Sequence, residues 1–197
     1  AVGAVMARLH QVPAPGSLPR RHSYGLDFFA EVMGHGADPT YERWLEQTRA
    51  LLEQRLPAGL PRGLIHGDLF YDNVIVEGDA LGAIIDFEEA CDLELAFDLG
   101  MAIVGLCCDG AALSLGKAAA LVAGYQQVRD LEPAERAALQ PFVVYAAAAT
   151  SCWRYWKYNI SAPTPALRRR HLEIMQLAQE AGALPGRGFT ATLFDRP

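Results

Sequence analysis

Apolar positions recur every three or four residues along most of this chain, while one stretch near its middle switches to short β-branched runs. The clearest helical stripe is Tyr41, Trp44, Leu45, Leu51, Leu52 and Leu56, which predicts one buried helical face over 39–56. Asp38 stands where an N-cap is needed and Pro39 where a first-turn proline is tolerated. An opening helix reads across residues 1–11 and ends near Val12, before the Pro13-Ala14-Pro15-Gly16 breaker. Residues 13–23 read as loop and Tyr24–Met33 as a short helix that Gly34-His35-Gly36 interrupts. Beyond about Ala96 the spacing predicts helices over roughly 96–108, 112–129, 133–158 and 165–181. Pro141 is expected to break or kink the third of these, and Thr164-Pro165 and Gly182 bracket the last. Residues 183–197, rich in Gly, Pro and Arg, read as a loop-like tail.

The exception to this helical rhythm is a pair of β-branched runs, Val74-Ile75-Val76 and Ala83-Ile84-Ile85, separated by the turn signal Glu77-Gly78-Asp79. They predict a small hairpin. Pairing of its strands would bring Asn73 and Asp86, distant in sequence, to the same end of one ladder.

Composition narrows the classes without choosing among them. A chain of 197 residues, 51% hydrophobic and 20% charged, fits one domain with a sizeable core. Its net charge of −6 offers no footprint for nucleic acid and no attraction to anionic lipid, so small polar substrates are the default. Cys91, Cys107, Cys108 and Cys152 form no C-x-x-C spacing and read as buried reduced thiols in a cytoplasmic protein. The apolar stretches Leu99–Cys108 and Pro141–Ala149 are too short to span a bilayer, and the opening residues do not read as a signal peptide. Neither nucleic acid nor a membrane is an expected partner.

The chemistry is concentrated in residues 64–87, LIHGDLFYDNVIVEGDALGAIIDF. Phosphoryl transfer from ATP needs an acceptor for the alcohol's proton and oxygen ligands that fix Mg²⁺ on the phosphates. Asp68 supplies a carboxylate that could take the proton and orient the attacking oxygen. Asn73 adds a neutral amide oxygen, and Asp86 a carboxylate at the end of an apolar run, where burial would be costly without a charged partner. Gly67 permits a tight backbone beside Asp68.

The pattern H-G-D-x-x-x-x-N followed by I-D-F resembles the catalytic loop and metal-binding aspartate of protein kinases. The version here is similar to the small-molecule branch of the kinase-like fold, which holds aminoglycoside phosphotransferases, choline kinases and type II homoserine kinases. The resemblance implies an α+β architecture: the mostly helical C-terminal lobe of a protein-kinase-like fold, with the hairpin carrying the catalytic loop and metal site. Residues 1–182 would form that lobe and 183–197 its tail. Family members carry a helix of the x-x-x-R-L-H type just after the hinge between lobes, and AVGAVMARLHQ matches it, so an N-terminal nucleotide-binding lobe is expected outside this chain. Neither a Gly-rich phosphate loop nor a V-A-I-K-type lysine precedes the catalytic segment, and the chain alone is expected to be inactive or nearly so. In this resemblance Asp68 is the catalytic base, Asn73 and Asp86 hold the metal, and ATP and Mg²⁺ are the cofactors. His66 is mostly structural, and Asp98 supports the catalytic loop from a helix start, a task close to that of an N-cap.

The acceptor is less sharply marked. Choline kinases carry I-D-F-E where this chain has Glu88, which could touch metal or a cationic group or be half of a solvated acidic pair with Glu89. In YAAAATSCWRYWKYN (145–159), Trp153, Trp156 and Lys157 would share one helical face and Arg154 and Tyr158 another. These residues read either as a substrate wall or as a core helix with snorkelling basic side chains. Arg154-Tyr155-Trp156 resembles the R-F-W stretch of type II homoserine kinases. Homoserine, a zwitterion with a primary hydroxyl, would need a cation such as Arg154 or Lys157 and an acid such as Glu88 or Asp92. A choline or ethanolamine kinase would instead use an aromatic cage, and an aminoglycoside kinase a strongly acidic pocket. A non-catalytic kinase-like binding module is the alternative outside the enzymes.

Overall fold

Helix formation follows the apolar stripes closely. The computed structural model describes residues 1–78, 80–109 and 112–195; Asp79 of the expected turn and the last two residues of the expected tail lie outside them. The first helices are α1 (Val2–Leu9), α2 (Leu26–Val32) and α3 (Pro39–Arg55). Asp38 caps α3 by accepting from the Thr40 and Tyr41 amides, an interaction of about 1 kcal/mol. Tyr41, Leu45 and Leu52 bury the predicted face. From the same helix, Glu42 accepts the Gly34 and Gly36 amides at 2.8 Å each and the Tyr155 hydroxyl at 2.5 Å, closing the Gly-rich turn after α2.

Two strands that periodicity did not predict come next in importance. β1 (Arg62–Ile65) pairs antiparallel with β4 (Cys91–Glu94), placing Leu64 opposite Asp92 and Ile65 opposite Cys91. Between them lies the predicted hairpin, β2 (Val74–Glu77) with β3 (Ala80–Ile84), in which Val74 faces Ile84 and the register shifts between Ile75 and Val76. The ladder β1–β4 therefore clamps the base of the segment that carries the hairpin.

The remaining body is helical: α4 (Leu95–Leu106), a two-residue ladder of β5 (Cys108–Asp109) and β6 (Ala112–Leu113), then α5 (Leu115–Gln126), α6 (Pro133–Tyr155), α7 (Arg170–Ala183) and α8 (Gly186–Phe194). Helices α4 and α7 pack on α6, where the run Ala146–Ala149 is buried and its small side chains allow close approach. α1 packs on α5, which also contacts α8.

Three expectations need correction. Pro141 does not break the third helix: it lies inside α6, where Leu139, Phe142 and Val143 are buried around it and hold the turn that lacks one amide. The helix predicted from 165 begins only at Arg170, and the residues before it form turns. The tail is not loop: α8 buries Phe189 and Leu193, one helical turn apart, on its inner side. Burial lifts the thiols of Cys91 and Cys107 to about 12, and all four cysteines are free. Among the described residues no helix is long and apolar enough to cross a membrane.

Candidate active site

The loop after β1 is fixed from three sides. Asp98, in the first turn of α4, is fully buried and accepts the His66 amide at 3.0 Å and the Gly67 amide at 2.8 Å. It also receives His10 Nε2 at 2.9 Å. Burial works to raise the Asp98 pKa, but these hydrogen bonds, that of His10 first, outweigh it and hold the group below its ordinary value. Asp98 is thus not the N-cap of α4, which is Glu94; it supports the loop directly. Behind it runs a chain of donors. Arg129 donates to the Tyr125 hydroxyl at 3.2 Å, and that hydroxyl lies 2.7 Å from His10 Nδ1. Arg129 is itself paired with buried Glu135.

His66 does the second fixing. Its Nδ1 accepts the Asp68 amide at 3.2 Å, so Nε2 carries the proton and donates to the Ile85 carbonyl at 2.8 Å. One neutral imidazole therefore joins the catalytic loop to the residue preceding Asp86. Its ring also lies against Phe87, with 4.6 Å between centroids.

The third contact was not foreseen. His22, buried in the loop between α1 and α2, accepts the Tyr24 amide at Nδ1 and donates from Nε2 to the Gly67 carbonyl at 2.9 Å. Burial lowers the pKa of its ring despite the nearby Glu89 carboxylate. Only a lone histidine in a loop marked it in the sequence. Gly67 itself has φ +83, and a Cβ there would come within 2.5 Å of the Glu89 carbonyl oxygen, so both backbone and space exclude a side chain. On the other flank, a Cβ at Gly105 of α4 would run into the Leu69 carbonyl, which lets the loop settle on the helix.

Asp68 and Asn73 come together as expected. The Asn73 side-chain amide donates to the Asp68 carbonyl at 2.8 Å and, more distantly, to its carboxylate at 3.4 Å. That leaves the Asn73 Oδ1 with no donor among the described residues. The Ile85 amide donates to the Asn73 carbonyl at 3.1 Å, which sets Asp86 beside Asn73 at the open end of the hairpin. Asp86 has φ +66, the one positive φ outside glycine among the described residues, a backbone state that is uncommon and turns the side chain off the strand. The expectation that it ends a buried strand is corrected: Asp86 is exposed, and its neighbours Ile85 and Phe87 are exposed with it.

Burial raises the Asp68 carboxyl to about 6, opposed by His66 and reinforced by Asp72, Glu89 and Asp86. The group opens into a cavity of about 190 Å³ whose walls include Tyr24, Glu88, Glu89, Trp153 and Arg154. Of the side chains expected to meet substrate, Glu88 and Arg154 line it, whereas Trp156 and Lys157 do not. At Trp156 helix α6 passes into a π-helix (Trp156–Ser161), whose wider turn shifts the faces inferred from a regular period. Trp156 packs edge-on against Phe28 instead. Asp92 is also elsewhere, on β4 beside Arg62 and Arg20. Arg154 is largely buried, which lowers its pKa, as does Arg170. It donates to the Arg170 carbonyl at 3.5 Å and lies 3.8 Å from the Glu173 carboxylate.

No three His, Cys, Asp or Glu side chains cluster as a metal site among the described residues. An amide oxygen and a carboxylate without protein partners fit instead a hard divalent ion that takes its other ligands from phosphates and water.

Comparison with known proteins bears on the family and the fold. Residues 1–139 match the model of a phosphotransferase enzyme family. The chain is 37% identical over 146 residues to a homoserine kinase of Parvibaculum lavamentivorans, covering 70% of this chain and 45% of that protein. To a homoserine kinase of Brucella anthropi it is 39% identical over 146 residues, covering 71% and 45%. It thus spans a little under half the length of these curated relatives. Among solved structures, a choline/ethanolamine kinase family protein from Mesorhizobium loti superposes with a TM-score of 0.72 at 17% identity, over 98% of this chain and 64% of that one. Amicoumacin kinase, solved in complex with AMP-PNP, Ca²⁺ and Ami, superposes with a TM-score of 0.68 at 13% identity, over 95% and 60%. The chain shares the fold of those solved kinases over nearly its whole length, and it belongs to the phosphotransferase enzyme family.

Proposed function

We propose that the full-length protein transfers the γ-phosphoryl group of ATP to the hydroxyl of a small metabolite, with L-homoserine as the leading acceptor. The product would be O-phosphohomoserine, on the route to threonine. The observation that carries this reading is the partly desolvated Asp68 carboxylate at a cavity of about 190 Å³ that also presents Arg154. That volume lies below the ~300 Å³ at which pockets for drug-sized ligands begin. The homoserine kinases among its relatives support the choice of acceptor.

Asp68 accepts the hydroxyl proton and aligns the oxygen with the phosphorus. Asn73 Oδ1 and the Asp86 carboxylate hold Mg²⁺, which when bound neutralises charge on the phosphates. His66 and Asp98 keep the loop in place. Arg154 grips the acceptor's carboxylate. This chain would be the second lobe. Ile75, Val76, Ile85 and Phe87 are exposed around the hairpin, an apolar surface that an N-terminal nucleotide-binding lobe would cover.

A choline or ethanolamine acceptor is the second reading, favoured by Tyr24 and Trp153 in the cavity wall. Arg154 in the same wall argues against a purely cationic acceptor. An acceptor screen of the full-length protein decides, comparing kcat/KM for homoserine, choline, ethanolamine, methylthioribose and an aminoglycoside. Homoserine should lead; phosphorylation of none of them would favour a kinase-like binding module.

A further inference from the structure

We propose that Glu89 is the residue that selects an acceptor carrying a primary ammonium group, holding that cation while Asp68 takes the hydroxyl proton. The inference deepens the phosphotransfer reading and rests on it. Glu88 and Glu89 both line the cavity, but they are not equivalent. Glu88 is exposed and its charge is solvated. Glu89 has its Oε2 sealed from solvent with no hydrogen-bond partner among the described residues. A carboxylate oxygen left in that state is expensive unless a cation completes it.

Its placement suits the task. The Glu89 carbonyl packs so closely on Gly67 that a Cβ there would approach it to 2.5 Å. Gly67 immediately precedes Asp68, so the backbone holds Glu89 at a fixed station beside the base. The Glu89 charge acts on Asp68, His22 and Tyr24, raising the pKa of the Tyr24 hydroxyl second only to burial. Tyr24 and Trp153 wall the same space. Arg154 supplies the opposite charge. A cavity with a fixed acid near the base and a guanidinium in its wall matches a short amino acid bearing a hydroxyl.

The test compares homoserine with 4-hydroxybutanoate, which keeps the hydroxyl and carboxylate but lacks the amine, in the full-length protein. Glu89→Gln preserves shape and removes the charge. It should lower kcat/KM for homoserine about 10- to 100-fold more than for 4-hydroxybutanoate, the loss expected for one charge-assisted hydrogen bond. Equal losses on both acceptors, or no loss on either, would overturn the assignment. Calorimetric titration of homoserine into Asp68→Asn with and without Glu89→Gln gives a second measure independent of turnover. A Kd that weakens by a similar factor supports the ammonium contact, and an unchanged Kd refutes it. If the parent protein phosphorylates no acceptor, the phosphotransfer reading fails by itself, and the titration still decides the role of Glu89.

Discussion

Gly67 donates its amide to Asp98 at 2.8 Å, and the same carboxylate takes the neighbouring His66 amide and the ring of His10. A buried acid on α4 thus fixes two successive peptide units just before Asp68. Asp98→Ala leaves those donors and the imidazole without an acceptor in a dry site. Each buried donor left without its acceptor costs about 1–3 kcal/mol, so a loss of at least that size is expected. A corresponding fall in the urea midpoint at constant m-value checks it.

Asp68→Asn should remove activity while sparing the fold. Loss of the proton acceptor is expected to reduce kcat by about 10²–10⁴-fold with near-native circular dichroism.

The same substitution has a pH signature in stability. The folded-state pKa of Asp68 is raised from 3.8 to about 6, so between those values the folded chain binds more protons than the unfolded chain. This contribution therefore lowers stability as pH rises through that window and is fully present above it. Asp68→Asn should melt above the parent at pH 7.5, and the difference should close as pH falls toward 4. A gap that widens on acidification would contradict the assignment.

Catalysis should report the same ionisation. The base works as a carboxylate, so kcat/KM should fall on the acid side with a midpoint near 6 for the free enzyme. A profile flat down to pH 5 would place the proton acceptor elsewhere.

Asn73→Ala and Asp86→Asn should each raise the Mg²⁺ concentration needed for half-maximal rate, since each removes or neutralises an oxygen ligand. An unchanged Mg²⁺ titration in both would remove the proposed metal site.

Gly67→Ala tests the backbone. At φ +83, with the Glu89 carbonyl in the way, the added methyl should cost about 1–3 kcal/mol from conformation alone and displace Asp68. The expected result is a lowered Tm together with loss of turnover.

Legibility in the sequence followed the range of the interactions. The stripe Tyr41-Leu45-Leu52 and its Asp38 cap are local, and α3 falls where they predict it. The hairpin was readable because β-branched runs flank a turn, and its register sets Asn73 beside Asp86. The β1–β4 ladder was not, since Arg62-Gly63-Leu64-Ile65 shows no alternation and that of Cys91–Glu94 is too brief to stand out, so the two become strands only through each other. The tail misled because Gly186, Gly188 and Pro185 masked Phe189 and Leu193 at helical spacing. At the site, Asp68 and Asn73 meet as their spacing suggested, while His22 and Glu89 carry no motif and are placed by tertiary packing alone. Trp156 and Lys157 were assigned to a regular helix that the chain abandons one residue after Tyr155.

The donor chain Arg129–Tyr125–His10–Asp98 has a bearing on the order in which the protein assembles. Its members come from α1, α4 and the region around α5, so the earliest of them leaves the ribosome more than a hundred residues before the last. Until Tyr125 and Arg129 emerge, the His10 ring has Asp98 on one nitrogen but lacks the Tyr125 hydroxyl on the other. The loop bearing Asp68 is therefore a late-setting part of a nascent chain, although its own sequence emerges before α5 has been made.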